Sequence, residues 1–199
     1  ETTGLSPESG DRLIEIGCIE MVNRRFTGNN WHHYVNPERQ IEEGAKAVHG
    51  ISDEELAAAP PMAQVWPQLI AVTAGRTVLA YNAEFDRAFL FAELERAGIS
   101  DKKSPACRRG VDWIDPLTWA RELQKFEKGK SLGEVAARLG VEINQAHRAS
   151  DDAEAAVRIL SIFTADPRVP RTYAAFVQEQ RRLSRIFEEE RSKWKNSRG

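Results

Sequence analysis

The first third of the chain has the hydrophobic patterning of strands. Residues 12–22 alternate loosely and are rich in Ile and Val, and residues 30–36 show a second strand-like run. The polar residues 27–30 (Thr-Gly-Asn-Asn) between these runs predict a turn, so we expect an antiparallel hairpin. Residues 77–81 form a short apolar run that predicts a buried strand.

After residue 52 the apolar positions recur at helical spacing. Ser52, followed by three acidic residues, predicts a helix that ends before Pro60. Further helices are predicted over residues 62–74, 84–97, 116–126, 131–139, 149–164 and 171–195. A hairpin, a further strand and many helices favour an α/β fold in which a mixed sheet is flanked by helices.

Composition indicates a soluble protein. The chain has 199 residues, 41% of them hydrophobic and 29% charged, which suits one domain with a tail. No run approaches the roughly 18 apolar residues of a membrane helix, so we expect no membrane association. The two cysteines, Cys18 and Cys107, are isolated and typical of reduced thiols, which favours a cytoplasmic protein.

Charge is distributed unevenly along the chain. Residues 1–167 contain 19 Lys and Arg against 26 Asp and Glu, whereas residues 168–199 contain nine against four. An acidic body is a poor non-specific DNA binder. We therefore predict a domain over residues 1–165 and a basic, amphipathic helical tail over residues 166–199. The tail could dock on the domain, bind a partner or project freely, and the sequence does not decide among these.

Three acidic segments stand out. The first is residues 1–4 (Glu-Thr-Thr-Gly), the second is residues 82–86, and the third is residues 147–152. Each alone is weak evidence, because an acid at a helix start most often caps the helix or interacts with its dipole. Together they supply carboxylates from three separate places and one His.

Such a set matches the needs of two hard divalent cations. Mg²⁺ and Mn²⁺ prefer oxygen ligands. Two such ions about 4 Å apart stabilise both the attacking water and the leaving oxygen of phosphodiester hydrolysis. A neutral His nearby can accept the proton of that water.

At these segments the chain resembles the DEDD-type 3′→5′ exonucleases of the histidine subclass. Glu1 matches the Glu of the first motif, Asp-x-Glu, and Asp86 matches the acid of the second. His147 and Asp152, five positions later, match the last motif; Asp151 is a register alternative that the spacing favours less. The resemblance implies that Glu1, Asp86 and Asp152 bind two Mg²⁺ or Mn²⁺ ions and that His147 is the general base.

A narrower resemblance covers about residues 1–160. Residues 22–39 and 48–53 resemble the epsilon proofreading subunits of bacterial replicative DNA polymerases. This resemblance implies a ribonuclease H-like fold and removal of nucleoside 5′-monophosphates from a DNA 3′ end. The implied partners are a single-stranded or frayed DNA 3′ end and a DNA polymerase catalytic subunit.

The resemblance also implies contacts with the terminal nucleotide. Thr2, Thr3 and His49 would line it, Asn82 would belong to the same pocket, and Phe85 would pack near it. Each residue has a purely structural alternative. The two threonines could form a turn, the His could belong to a loop, and the Phe could belong to the core.

The first motif is only half present. The resemblance places its Asp two residues before Glu1, at the end of an apolar strand, and neither lies within the 199 residues. We therefore expect the parent protein to begin before Glu1 and the 199-residue chain alone to be weakly active or inactive.

Two alternative functions are compatible with the same motifs. One is a 3′→5′ exonuclease of the same superfamily that acts on RNA or short oligonucleotides. The other is a non-catalytic, exonuclease-like binding module, against which the general base and its spacing argue.

Overall fold

The structure is a computed structural model that describes residues 1–99, 105–144 and 148–196. Two strands, β1 (Glu15–Val22) and β2 (Arg25–Tyr34), form a hairpin. The described helices are α1 (Glu43–His49), α2 (Asp53–Ala57), α3 (Met62–Thr73), α4 (Ala83–Arg96), α5 (Pro116–Leu123), α6 (Leu132–Leu139), α7 (Ala149–Phe163) and α8 (Tyr173–Asn196). None of these helices combines the length and apolarity needed to cross a bilayer.

The hairpin exists, but its predicted turn was wrong. Asn23 and Arg24 form the turn with φ angles of 51° and 63°, whereas residues 27–30 lie inside β2. Two successive positive φ angles give the tight turn whose twist suits a hairpin, and Asn tolerates that conformation. The polar residues 27–30 are held by Glu20, which accepts hydrogen bonds from the Thr27 hydroxyl (2.9 Å) and the Asn29 side-chain amide (2.8 Å).

Among the described residues, three isolated bridges add to the pairing of the hairpin, and one of them joins Asn36 to Pro61 in parallel. Thr2 forms an antiparallel bridge with Leu13, which places the first acidic segment beside the start of β1. Leu79 forms a parallel bridge with Ile114. The segment predicted as a strand over residues 77–81 is therefore paired at this one point, rather than along a regular strand.

Local sequence signals account well for most helix ends. Ser52 and Ser131 each cap a helix and are capped in return by a Glu three residues later. Pro67 lies inside α3 without ending it. The sequence missed α1, which begins at Glu43 without a side-chain hydrogen bond at its N-cap.

Two main apolar clusters flank the sheet. The first joins the hairpin to α3 and α4 through buried residues that include Val35, Val65, Trp66 and Phe89. The second joins α5, α6, α7 and α8 through buried residues that include Trp119, Val135, Ile159, Phe163 and Phe176.

The first half of α8 is docked on the domain. Phe176, Val177 and Leu183 are buried in the second cluster. The buried Gln180 side chain donates to the Trp113 carbonyl (2.9 Å) and accepts from the Asp115 amide (2.9 Å). Of the three possibilities that the sequence left open, the structure shows docking for this half of the helix.

We predict that Gln180→Ala lowers the free energy of unfolding by about 1–3 kcal/mol, because it leaves two buried backbone groups without a partner. Urea unfolding of the full-length protein measures the change. Gln178→Ala is the matched control, since Gln178 lies exposed on the same helix. Equal stability of the two variants would contradict the structural role of Gln180.

Candidate active site

The first acidic segment is fixed by backbone pairing beside β1. The carbonyl of Glu1 accepts from the Ile14 amide (2.9 Å), and the Thr3 amide donates to Arg12 O (2.9 Å). The hydroxyl of Thr3 is fully buried and donates to Asp11 (3.2 Å). The Thr2 hydroxyl donates to Gly4 O (2.6 Å). Both threonine hydroxyl groups are therefore hydrogen-bonded within the chain. The Glu1 side chain is half-buried.

The second acidic segment lies where an extended segment enters α4. Asn82 adopts a left-handed conformation (φ 64°, ψ 49°), and this turns the chain into the helix. Asp115 accepts hydrogen bonds from the amides of Asn82 (2.9 Å) and Ala83 (3.2 Å), and it caps α5 through Leu117 N (2.8 Å). The beginnings of α4 and α5 are therefore joined through one carboxylate.

Asp86 lies in the first turn of α4 and is exposed to solvent. Its pKa is raised, chiefly because surrounding protein atoms desolvate the carboxylate, and further by the negative charges of Asp115 and Glu1.

The third acidic segment begins α7. Asp151 and Asp152 are half-buried in the first turn of this helix, where the helix dipole favours negative charge. His147, the predicted general base, lies outside the described residues. The helix begins against β1 at Gly17, where an added Cβ would lie 2.5 Å from the Ser150 amide nitrogen. A side chain at this position of β1 would therefore displace the start of the helix.

A buried carboxylate that the sequence analysis missed also fixes this helix start. Glu15 accepts from His32 Nε2 (2.7 Å) and, at 3.5 Å, from the Ala149 amide. Arg148 lies 3.9 Å from Glu15 and donates to the Tyr34 hydroxyl (2.8 Å). Glu15 carried no local signal, because the same strand contains a second acid, Glu20. For Asp115 the signal was the following Pro, since an acid before Pro is typical of a helix start.

His49 ends α1 beside the first acidic segment. Its Nδ1 accepts from the Ile51 amide (3.0 Å), so the neutral ring carries its hydrogen on Nε2. Burial lowers the pKa of His49, although the negative charge of Glu1 opposes the shift. The Thr2 carbonyl lies nearby, but its geometry is not that of a hydrogen bond, and the buried Nε2 has no partner among the described residues. His49 therefore presents an unsatisfied N–H donor at the site.

Phe85 packs against the apolar core. Its ring lies 4.9 Å from that of Phe89, and the half-buried side chain packs against the first apolar cluster. This contact agrees with the alternative that Phe85 belongs to the core. Part of the side chain is exposed, so its contact with a nucleotide stays a prediction.

The predicted metal ligands are only partly assembled. Glu1 and Asp86 lie within electrostatic range of each other. Across residues 1–99, 105–144 and 148–196, no three His, Cys, Asp or Glu side chains are already grouped to hold one metal ion. The donor chemistry is nevertheless suitable, because adjacent carboxylates offer hard oxygen atoms whose mutual repulsion a cation would relieve.

Comparison with known proteins decides the family. The profile of the exonuclease family (RNase_T) matches residues 1–160. This chain belongs to that exonuclease family. The predicted resemblance to DEDD-type exonucleases and to epsilon subunits is confirmed.

The relatives of this exonuclease include DNA polymerase III epsilon subunits. It is 34% identical over 192 residues to that of Pasteurella multocida, covering 90% of this chain and 74% of the relative. It is 46% identical over 123 residues to that of Rickettsia typhi, covering 62% of this chain and 52% of the relative. The chain thus spans about half to three quarters of these relatives.

A solved structure confirms the fold. The nuclease domain of 3′hExo, a DEDDh family member bound to rAMP, has a TM-score of 0.69 at 20% identity, with 84% of this chain and 89% of that chain covered. The predicted ribonuclease H-like architecture, a mixed sheet flanked by helices, is confirmed.

We predict that Gly17→Ala in the full-length protein lowers exonuclease kcat by about 10- to 100-fold, because small displacements of catalytic groups cost this much. Release of nucleotides from a labelled single strand measures the rate. Gly44→Ala is the control, because an added Cβ there meets no atom within 4 Å. A normal rate for Gly17→Ala would show that the close contact is not required.

Proposed function

We propose that this chain is the catalytic body of a proofreading 3′→5′ exonuclease that hydrolyses DNA 3′ ends to nucleoside 5′-monophosphates. The observation that carries the proposal is that the exonuclease family profile matches residues 1–160, a span that contains all three acidic segments. The third acidic segment leads into α7, and the start of this helix is in close contact with β1 at Gly17.

Glu1, Asp86 and Asp152 would hold two divalent cations, Mg²⁺ or Mn²⁺, together with the Asp that the family places two residues before Glu1. Exonucleases of this family generally use divalent metal ions. Bound there, the ions would supply stabilisation of the charge that develops on the phosphate during hydrolysis. Desolvation is the main cause of the raised pKa of Asp86, and bound cations would stabilise its charged form.

His147 would accept the proton of the attacking water. A general base works best when its pKa lies near the working pH, and an ordinary His satisfies this condition. In the sequence it precedes Asp152 by five residues, the spacing of the last motif.

The neutral ring of His49 would donate from Nε2 to an oxygen of the terminal nucleotide. A buried donor without a partner costs free energy, and a bound acceptor would remove that cost. Asn82, exposed at the start of α4, and the exposed part of Phe85 would complete the nucleotide pocket. Thr2 and Thr3 would contribute mainly by holding the backbone of this segment beside the nucleotide, since their hydroxyls are already bonded.

The substrate would be a single-stranded or frayed DNA 3′ end, delivered by a polymerase catalytic subunit in the bacterial cytoplasm. The relatives are polymerase subunits. Exonuclease X, of similar fold, was solved in complex with 5′ overhanging duplex DNA. Rates of the full-length protein on mispaired DNA ends and on short RNA test this substrate. A clear preference for RNA would contradict proofreading.

We predict that His147→Ala lowers kcat of the full-length protein by at least about 100-fold, the low end for loss of a general base. Single-turnover hydrolysis of a single-stranded DNA measures it. His33→Ala is the control, since its ring packs on Trp31 at 4.9 Å in the hairpin. A nearly normal rate for His147→Ala would reject the assigned role.

We also predict that Asp86→Asn weakens Mn²⁺ binding by at least about ten-fold, since even changes to outer-shell groups cost that much. Isothermal titration calorimetry of the full-length protein measures it without relying on activity. Glu84→Gln is the matched control, being an exposed acid in the same helical turn. Unchanged Mn²⁺ affinity for Asp86→Asn would contradict its assignment as a ligand.

A further inference from the structure

An open groove of about 960 Å³ begins beside the second acidic segment. Its walls come from the start of α4, from α5 with the connection to α6, and from the C-terminal half of α8. Asn82 and Ala83 line the groove, four and three residues before Asp86 in the sequence. A strand whose 3′ end occupied the proposed site could therefore continue directly into this groove.

Basic side chains outnumber acidic ones, seven to five, among the described residues that line the walls of the groove. Apart from the ion pair of Arg181 with Asp112, the basic lining residues are Arg87, Arg121, Lys125, Lys130, Arg185 and Arg191. The acidic side chains that remain are Glu84, Asp115, Glu188 and Glu190. The groove is thus basic, whereas residues 1–167 carry an excess of acids.

The wall between α5 and α6 is held in a fixed shape. Arg138 donates to the carbonyls of Lys128 (2.9 Å) and Gly129 (2.7 Å) and to the Gln124 side chain (3.0 Å). The Tyr81 hydroxyl donates to Lys130 O (2.7 Å), which ties this connection to the residue before Asn82. The backbone that carries Lys125 and Lys130 therefore needs little ordering when an anionic strand binds.

One exposed aromatic ring lies in the same connection between α5 and α6, beside the groove-lining Lys125, although it does not itself line the groove. Phe126 is 90% exposed, and the Lys125 ammonium lies 5.2 Å from the centre of its ring. Proteins that bind single strands combine basic grooves with exposed aromatic rings on which bases stack. An apolar ring exposed in a rigid, basic connection matches that combination.

We propose that this groove binds the phosphate backbone of the single DNA strand on the 5′ side of the nucleotide being removed, with a base stacked on Phe126. The inference rests on the proposed function, because it gives the path of the same substrate. It assigns α8, which lies outside residues 1–160 of the family match, to substrate binding.

The test compares two double variants of the full-length protein. Arg185→Ala with Arg191→Ala removes two charges from the groove. Arg182→Ala with Lys193→Ala is the matched control, since these residues belong to the same helix but do not line the groove. Fluorescence anisotropy with a labelled 12-nucleotide dT strand in EDTA measures binding without hydrolysis, over a range of salt concentrations.

The groove variant should bind the strand about ten-fold more weakly at low salt. The slope of log K against log salt concentration should fall in magnitude by about 1.4, because the variant loses two phosphate contacts and each contributes about 0.7 on a single strand. The control should change neither quantity as much. Lys125→Ala and Phe126→Ala, which leave α8 intact, should also weaken binding, the latter by about ten-fold. Equal affinities and slopes for the groove and control variants would overturn the proposal.

A short substrate separates this inference from the proposed function. The p-nitrophenyl ester of thymidine 5′-monophosphate contains one nucleotide and cannot reach along the groove. The groove variant should hydrolyse it at the unmodified rate, which also shows that the variant is folded. Failure of the unmodified protein to hydrolyse either substrate would contradict the proposed function, and with it the groove. Normal hydrolysis without a loss of strand affinity would contradict the groove alone.

Discussion

The close contact between β1 and the start of α7 is the constraint on which the site depends. Only a residue without a side chain fits at Gly17, because the backbone of Ser150 lies where a Cβ would be. The buried Glu15, two residues earlier, receives the amide of Ala149 and lies near Arg148. A strand and a helix start that are more than 130 residues apart in sequence are thereby fixed together.

Around that contact, α4, α5 and α8 are positioned by buried and half-buried polar side chains as well as by apolar packing. Asp115 joins the starts of α4 and α5, and Gln180 joins this junction to α8. Such groups are stable only when their partners are in place, so each one ties the geometry of the site to that of the surrounding domain. Asp115 of this junction also lines the basic groove, which links the tail helix to the catalytic body.

Local signals explain why much of the fold could be predicted from the sequence. Ser52 and Ser131 mark helix starts through bonds that span three residues. The hairpin turn was misplaced because Gly28 and its polar neighbours are a stronger turn signal than Asn23 and Arg24, whereas strand pairing selected the latter. The helix α1 was missed because it has no capping side chain, and with it the buried position of His49.

The supporting carboxylates could not be predicted because their roles depend on distant contacts. Glu15 resembles any strand Glu until α7 packs on it, and Asp115 resembles any cap until α4 begins beside it.

The most direct test of the account is a crystal of the full-length protein grown with Mn²⁺ and measured for anomalous scattering. We expect two Mn²⁺ ions bound by Glu1, Asp86 and Asp152. Ions bound elsewhere, with none at these three carboxylates, would contradict the account.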